Sequence, residues 1–188
     1  MSMLADELLV TYSKPVFNFC YHLAGNQTDA EDLYQDTFLV AWEKREYIQK
    51  TISSGSTQTI EPDIQIRNYL FGIAANLWRN MQRKKFRRNR ITPLDECEDG
   101  VMKAVSEENV PEKSIIQKEL IREVRQQVES LPDKLRVVVI MYYTGEMSTR
   151  EIAKRLHIPE ATVRSRLSKA RLKMQKGLEG KGYEQSDG

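Results

Sequence analysis

The sequence has few of the residues that build disulfide frameworks, metal sites or catalytic triads. Among its 188 residues are two cysteines and two histidines, at Cys20, Cys97, His22 and His157. They lack C-x-x-C or Cys/His ligand spacing, so we expect reduced thiols, no metal and no Ser/His/Asp arrangement. An apolar run long enough to span a bilayer and a signal-peptide pattern at Met1 are also missing. These absences predict a soluble cytoplasmic protein without a cofactor.

A large excess of charge of one sign is missing too. The chain has 29 Lys and Arg against 27 Asp and Glu, which gives a net charge of +2. Any affinity for nucleic acid must therefore come from local basic patches rather than from the field of the whole protein. The length allows one domain or two small ones.

The most informative stretch runs from Ser148 to Met174. Ser148-Thr149-Arg150-Glu151 has the form of a capping box, and Pro159 suits the first turn of a following helix. His157 lies at the turn between them and tolerates a left-handed backbone. One face of the second helix is apolar: Val163, Leu167, Ala170 and Met174. The opposite face is basic and polar: Arg164, Ser165, Ser168, Lys169 and Gln175. The pattern predicts a helix-turn-helix that reads the DNA major groove; an ordinary helical hairpin with a solvated basic face is the alternative.

The N-terminal part predicts two helices. The first is amphipathic and ends at Gly25, with Pro15 marking a kink or a junction between shorter helices. The second covers Thr28 to Lys44, and Thr28-Asp29-Ala30-Glu31 predicts a capping box at its start. Beside its apolar face lies an acidic stripe of Asp29, Asp32, Asp36 and Glu43, bordered by Gln35 and Leu39. The stripe is either a solvated edge or a docking surface for a basic partner.

A third helix is predicted from Asp63 to Arg90, after a loop of roughly twenty residues from Glu46 to Gln65. Opposite its core stripe lie Asn68, Gly72, Asn76, Arg79 and Arg83, with Phe86. Its C-terminal end is densely basic: Arg79, Arg83, Lys84, Lys85, Arg87, Arg88 and Arg90. This density favours contact with a nucleic-acid backbone over a merely solvated helix end. Because glycine costs about 1 kcal/mol inside a helix, Gly72 indicates close approach by a partner or another helix.

The remaining segments complete an all-helical organisation. Residues 92–109 are acidic and predict a flexible linker. Two further helices are expected before the helix-turn-helix, one through Ile116 and Val128 and one after Leu131-Pro132. The tail after Gly177 is polar and expected to fray. The residues therefore predict an all-α chain of two small helical domains, the C-terminal one a helix-turn-helix.

Three motifs resemble the bacterial RNA polymerase sigma factors of the extracytoplasmic-function group. Asp29 to Phe38 with Ala41-Trp42 resembles the DAEDLvQetFl..aW pattern, and Tyr69 to Leu77 resembles WLyrIArNl. Leu131-Pro132, Glu151-Ile152-Ala153 and Thr162 to Arg171 resemble LP…EIA…GTVkSRL.rAR. The resemblance implies region 2 at residues 1–91, a linker at 92–110, region 4 at 111–178 and a polar tail at 179–188.

The same resemblance implies a role for each exposed face. The core-polymerase contacts would be Asp29, Asp32, Gln35, Asp36, Leu39 and Glu43, docking on the β′ clamp helices, while the β flap would also be a partner. The minus-ten promoter contacts would be Asn68, Asn76, Arg79, Arg83 and Lys84. The minus-thirty-five contacts would be Thr162, Arg164, Ser165, Arg166, Ser168, Lys169 and Arg171. Family membership further implies an anti-sigma partner.

Two other functions compete with this interpretation. A stand-alone helix-turn-helix regulator would explain the C-terminal motif but neither the acidic stripe nor the basic helix end. A metal-dependent nuclease would need Asp29, Asp32 and Asp36 as ligands, yet these lie along one helix with no His or further acid cluster to complete a site. We therefore expect a promoter-directing subunit and no catalysis of its own.

Overall fold

The protein is all α-helical in the residues that its computed structural model describes, which are 3–53, 62–91 and 115–180. The N-terminal half holds α1 (Met3–Ala24), α2 (Gln27–Glu43), α3 (Arg45–Ser53) and α4 (Pro62–Ile91). The C-terminal half holds α5 (Ile115–Glu129), α6 (Asp133–Tyr143), α7 (Thr149–Leu156) and α8 (Glu160–Glu179). The predicted linker lies outside the described residues. None of the described helices is long and apolar enough to cross a membrane.

The N-terminal half packs α1, α2 and α4 around a common core. Phe19 of α1 and Phe71 of α4 are buried and stacked, with ring centroids 4.2 Å apart. The helix α1 continues through Pro15, so the predicted junction between two shorter helices does not occur. Gly25 follows with a φ of +76°, a left-handed conformation that ends the helix as predicted.

The start of α2 differs from the prediction. Asn26, not Thr28, is the N-cap: its side chain accepts a hydrogen bond of 2.9 Å from the backbone N–H of Asp29. The Asn26 amide in turn donates to the Asp29 carboxylate at 3.0 Å. Asparagine is among the best N-cap residues, so the helix is capped two residues earlier than the predicted box.

The predicted loop from Glu46 to Gln65 was wrong over its first part, because Arg45–Ser53 forms α3. Ile48 is 3% exposed and joins the core, which anchors this short amphipathic helix. The tertiary contact stabilises a segment whose local sequence is mostly polar. The Gly/Ser stretch that prompted the loop prediction continues into residues 54–61, which lie outside the described residues.

The C-terminal half confirms the helix-turn-helix. Ser148 and Glu151 form the full capping box of α7, and His157 takes the left-handed conformation with φ 53° and ψ 48°. Pro159 lies at the N-cap of α8 rather than inside its first turn. The predicted apolar stripe of α8 faces the core: Val163, Leu167 and Ala170 are buried and Met174 is partly buried.

The two halves pack against each other and share one continuous core. Helix α4 lies between them and contacts α1, α2 and α3 on one side and α6 and α7 on the other. Trp78, Phe71 and Ala75 are consequently buried although they lie outside the predicted core stripe of α4. The part of the predicted polar face of α4 that holds Asn68, Gly72, Asn76 and Arg79 is covered by the C-terminal half, whereas Arg83 and Phe86 on the same face are exposed.

Gly145 closes the turn after α6, and we expect Gly145→Ala to lower the free energy of unfolding by about 1–3 kcal/mol. A Cβ there would lie 2.6 Å from the Met141 carbonyl oxygen, and backbone atoms at a helix end cannot move aside cheaply. Gly180→Ala is the matched control, since its Cβ would meet nothing nearer than 3.4 Å. Urea unfolding of both variants measures the difference; equal free energies would contradict the assigned contact.

Candidate nucleic-acid interfaces

The exposed face of α8 carries the side chains predicted to read duplex DNA. Arg164, Ser165, Ser168 and Lys169 are exposed, while Thr162 and Arg166 are half-buried. The N-terminal residues of a helix-turn-helix second helix are the ones that reach base edges in the major groove. This face therefore has the geometry and charge of a groove-reading surface.

Two contacts set the orientation of basic side chains on α8. The Glu160 carboxylate accepts hydrogen bonds from Thr149 at 2.7 Å and from Arg164 at 2.6 Å. These bonds, the Thr149 bond first, lower the pKa of Glu160, so the carboxylate stays charged and ties α7 to the start of α8. Farther along, Arg171 donates from Nε to the Tyr143 hydroxyl at 2.9 Å. Arg171 is thereby directed toward α6.

Three of the five predicted minus-ten residues of α4, Asn68, Asn76 and Arg79, contact α7, while Arg83 and Lys84 are exposed. Asn68 is 2% exposed and donates from its amide to the Glu151 carboxylate at 3.0 Å. Asn76 donates to the Arg155 carbonyl oxygen at 3.0 Å, and Arg79 donates to the Leu156 carbonyl oxygen at 3.1 Å. The last carbonyls of a helix have no partner within it, so α4 supplies a C-terminal cap for α7.

Gly72 allows this contact to form. A Cβ added at Gly72 would lie 2.8 Å from Cδ and 3.2 Å from Cγ of Arg155, so the bare backbone accepts the Arg155 side chain. The guanidinium then lies over the Tyr69 ring, 4.9 Å from its centroid. Burial lowers the pKa of Arg155, opposed by Tyr69 and Glu151. The close approach that the sequence predicted for Gly72 is confirmed, and α7 is the helix that approaches.

The contact between the halves extends to both sides of this centre. Arg67 of α4 pairs with Glu146 at 3.2 Å, and Arg136 of α6 lies over the Trp78 ring at 5.8 Å. Within the described part of the chain, four buried side-chain atoms have no hydrogen-bond partner in the protein: Arg67 Nε, Asn68 Oδ1, Trp78 Nε1 and Arg136 Nε. All four belong to side chains at this junction. The hydrogen-bonding groups of the junction are therefore incompletely paired. Each unpaired buried polar group costs about 1–3 kcal/mol.

The basic end of α4 extends beyond α7 and is exposed. Arg83, Lys84, Arg87 and Arg88 face solvent, while the Arg90 side chain lies outside the described residues. Lys85 instead forms a 2.6 Å ion pair with Asp29 of α2. Burial would raise the pKa of Asp29, but hydrogen bonds from Asn26 and Lys85 hold it below its ordinary value. Asp29 is thus engaged within the chain rather than standing free on the acidic stripe.

The remainder of the stripe is open. Asp32, Gln35, Asp36 and Glu43 are exposed, and Leu39 among them is 62% exposed. Trp42 is 45% exposed and lies beneath the Arg45 guanidinium, which is 4.9 Å from the ring centroid. An exposed surface that combines acids with a leucine and a tryptophan is suited to binding a protein with a basic surface. No three His, Cys, Asp or Glu of the described residues group closely enough to hold a metal ion.

Sequence reasoning missed the residues of α7 that cover α4. Glu151 was identified as a cap residue and as part of a family motif, and it also accepts the Asn68 bond. Arg155 had no predicted role. The signal that could have identified the contact was Gly72, whose missing side chain implied a neighbour without saying which one.

Two family models and several known proteins match the chain. The family model described as Sigma-70 region 2 matches residues 8–88, and Sigma-70, region 4 matches residues 121–174. The extracytoplasmic-function (ECF) RNA polymerase sigma factor SigW of Bacillus subtilis is 27% identical over 175 residues, 92% of this chain and 87% of that protein. The ECF sigma factor SigE of Mycolicibacterium smegmatis is 31% identical over 166 residues, 88% of this chain and 58% of that protein.

Two solved structures share the fold. The sigma factor RpoE of Bartonella quintana, solved with the anti-sigma factor NepR, gives a TM-score of 0.67 at 21% identity, over 95% of this chain and 98% of that one. CnrH, solved with the cytosolic domain of CnrY, gives a TM-score of 0.57 at 21% identity, over 94% and 88%.

Proposed function

Because the chain belongs to the extracytoplasmic-function group of RNA polymerase sigma factors, we propose that it binds core RNA polymerase in the cytoplasm and helps to melt the promoter. Proteins of this family serve promoter-specific transcription initiation and are initiation factors. One observation carries the proposal for this chain. A single polypeptide combines an exposed acidic and apolar stripe on α2 with an exposed basic face on the second helix of a helix-turn-helix.

The acidic stripe is the proposed contact to core polymerase. Asp32, Gln35, Asp36, Leu39 and Glu43 would dock on the β′ clamp helices, and Asp29 would join them if Lys85 released it. Charged groups at such an interface steer the encounter and fix its register, while the exposed leucine supplies apolar area. The β flap is the proposed partner of the C-terminal half.

Helix α8 is the proposed reader of the minus-thirty-five element. Arg164, Ser165, Ser168 and Lys169 would reach base edges in the major groove. Thr162, Arg166 and Arg171 would lie nearer the phosphates, whose contacts position the helix without reading sequence. The half-buried setting of Arg166 and the Tyr143 bond of Arg171 suit this positioning role better than base reading.

Helix α4 is the proposed reader of the minus-ten element. Asn76 would hydrogen-bond an unpaired base of the non-template strand, with Asn68 beside it. Arg79, Arg83 and Lys84 would contact the phosphates of the DNA backbone. The affinity that such contacts supply falls steeply as the salt concentration rises. Capturing a base outside the duplex favours the melted state, because only that state offers the unpaired edge. The acidic residues 92–110 would follow the positively charged path of the polymerase, and an anti-sigma factor is the proposed regulator.

Substitutions on α8 and α4 should separate the two promoter contacts. We expect Arg164→Ala or Lys169→Ala to cost about 1–3 kcal/mol of discrimination at the upstream element if the residue makes a bidentate base contact. Asn76→Ala should instead impair opening at the downstream element, because its amide would hold the unpaired base. Footprinting and permanganate reactivity on one promoter, with core polymerase present, measure the two steps.

The control for this experiment is Lys176→Ala. Lys176 is exposed on the same helix but lies near its C-terminal end, so its loss should change neither step. Identical defects from Arg164→Ala and Asn76→Ala would contradict the proposal that α8 and α4 contact different promoter elements. Tight, specific binding to duplex DNA without polymerase would instead support a stand-alone regulator.

A further inference from the structure

We propose that Glu160 is a positioning residue for DNA reading. Anchored on Thr149 of α7, it holds the Arg164 guanidinium toward a base edge and so sets the preference for guanine at one position of the promoter. The inference rests on the proposed function of α8 as the reader of the minus-thirty-five element. It gives Glu160, which has no part in that proposed contact, a role in its specificity.

One carboxylate oxygen connects the two helices of the helix-turn-helix to the base-reading face. Oε1 of Glu160 accepts hydrogen bonds from the Thr149 hydroxyl at 2.7 Å and from Nη2 of Arg164 at 2.6 Å. Thr149 is the first residue of α7 and Glu160 the first residue of α8. Both helices therefore begin beside this carboxylate, and the positive character of a helix N-terminus favours its negative charge. The carboxylate is thus fixed to α7 as well as to its own helix.

Arg164 keeps most of its donors while Glu160 holds it. Its side chain is 70% exposed, and the bond to Glu160 occupies one of the five N–H donors of a guanidinium. Guanine presents two acceptors in the major groove, O6 and N7, and two donors of a single arginine match them. An arginine that is already held beside the groove loses less side-chain freedom when it meets this pair.

The carboxylate also opposes contact between Arg164 and the phosphates. An exposed arginine that is not held can bind phosphate oxygens, and such contacts carry no sequence information. Hydrogen bonds from Thr149 and Arg164 lower the pKa of Glu160, so the carboxylate is charged at neutral pH and repels the DNA backbone. The pair therefore favours base selectivity over non-specific affinity.

The test uses the full-length chain with core polymerase and a pool of promoter fragments randomised across the upstream element. Sequencing the fragments that the complex retains gives the preference for each base at each position. Arg164→Ala should lower the guanine preference at one position by roughly 5- to 150-fold, which identifies the base that it reads. Glu160→Gln should lower the preference at that same position by about threefold, as expected for a surface ion pair. Its binding to fragments of unrelated sequence should not fall, because a charge that repels phosphates is removed.

Variants of the anchor and of a matched acid separate positioning from a general effect of charge. Thr149→Val removes the hydroxyl and should lower the same guanine preference, whereas Thr149→Ser keeps the hydroxyl and should retain it. Glu179→Gln is the matched control. Glu179 lies at the other end of α8 and accepts a 2.7 Å hydrogen bond from Gln175, four residues before it. Its substitution should change no base preference.

Three results would overturn the positioning role. If Glu160→Gln lowered binding to all fragments equally, Glu160 would serve only the fold, and thermal unfolding of the variant would show the same loss. If it changed the preference at a position that Arg164→Ala leaves unchanged, Glu160 would contact a base itself. If the double variant lost more guanine preference than Arg164→Ala alone, the two residues would act independently.

A second arm omits polymerase and separates this inference from the proposed function. The same pool is selected by gel shift with the full-length chain alone. A chain that retains fragments with a Glu160-dependent guanine preference but never directs transcription would overturn the proposed function and leave the positioning role standing. Promoter-specific transcription with the same guanine preference in Glu160→Gln and in the unsubstituted chain would overturn the positioning role alone.

Discussion

Asp36→Arg is expected to abolish binding to core RNA polymerase, and with it all promoter-specific transcription, while the chain still folds. Asp36 is exposed on the acidic stripe of α2, beside the face that holds the buried residues Leu33 and Thr37. Reversing its charge replaces attraction by repulsion at an interface, which can cost several kcal/mol. A substitution at an exposed position away from other features changes stability by no more than about 0.5 kcal/mol. Co-purification with core polymerase and a reconstituted transcription assay measure the two effects.

Glu31→Arg provides the matched control. Glu31 is exposed on the same helix and carries the same charge, but it lies about 140° around the helix from Asp36. It should bind polymerase nearly as well as the unsubstituted chain. If Asp36→Arg also left binding and transcription intact, α2 would not be the docking surface, and a stand-alone regulator would become the better interpretation.

The helix-turn-helix could be predicted closely because its signals are local. A capping box, a residue tolerant of the left-handed turn and a period-3.6 stripe each need only neighbouring residues to be recognised. The same signals gave an incorrect N-cap at α2, where Asn26, two residues before Thr28, is the N-cap. Asn26 and Thr28 are both residue types that favour the N-cap position, so local sequence does not decide between them. Asn26 directly follows the left-handed Gly25 that ends α1, and the helix begins there.

The face of α4 could be predicted only in part. Periodicity separated its polar residues from its core stripe, and Gly72 indicated a close neighbour. Periodicity does not say whether a polar face meets water, DNA or another helix. Here it meets α7, because the C-terminal carbonyls of Arg155 and Leu156 accept the bonds of Asn76 and Arg79. That pairing joins residues 77 or more positions apart, so no local pattern reveals it.

Arg136 is the clearest case of a residue whose role depends on tertiary structure. It follows Leu135 and precedes a run of buried valines on α6, and in sequence it resembles an ordinary solvated arginine. In the fold its guanidinium donates to the carbonyl oxygens of Glu129 and Leu131 at the end of α5, and to that of Leu23 near the end of α1 at 3.5 Å. It also lies over Trp78 of α4.

We therefore expect Arg136→Ala to lower the free energy of unfolding by about 2–4 kcal/mol. The substitution removes charged donors from carbonyls at two helix ends and exposes one face of a fully buried tryptophan. Burial lowers the pKa of Arg136, and Asp133 and Glu129 oppose that effect, so the side chain carries a desolvation cost that its bonds offset. Urea unfolding of the full-length chain, followed by circular dichroism, measures the loss.

Two companion variants define what the guanidinium contributes. Lys134→Ala removes an exposed positive charge two residues away on α6, and it should change stability by no more than about 0.5 kcal/mol. Arg136→Lys keeps the charge but loses the planar fork, so it should recover only part of the loss because one ammonium cannot reach all three carbonyls. If Arg136→Lys were as stable as the unsubstituted chain, charge alone would hold these helix ends together. Equal losses from Arg136→Ala and Lys134→Ala would mean that the carbonyls find water at no cost, and the residue would have no structural role.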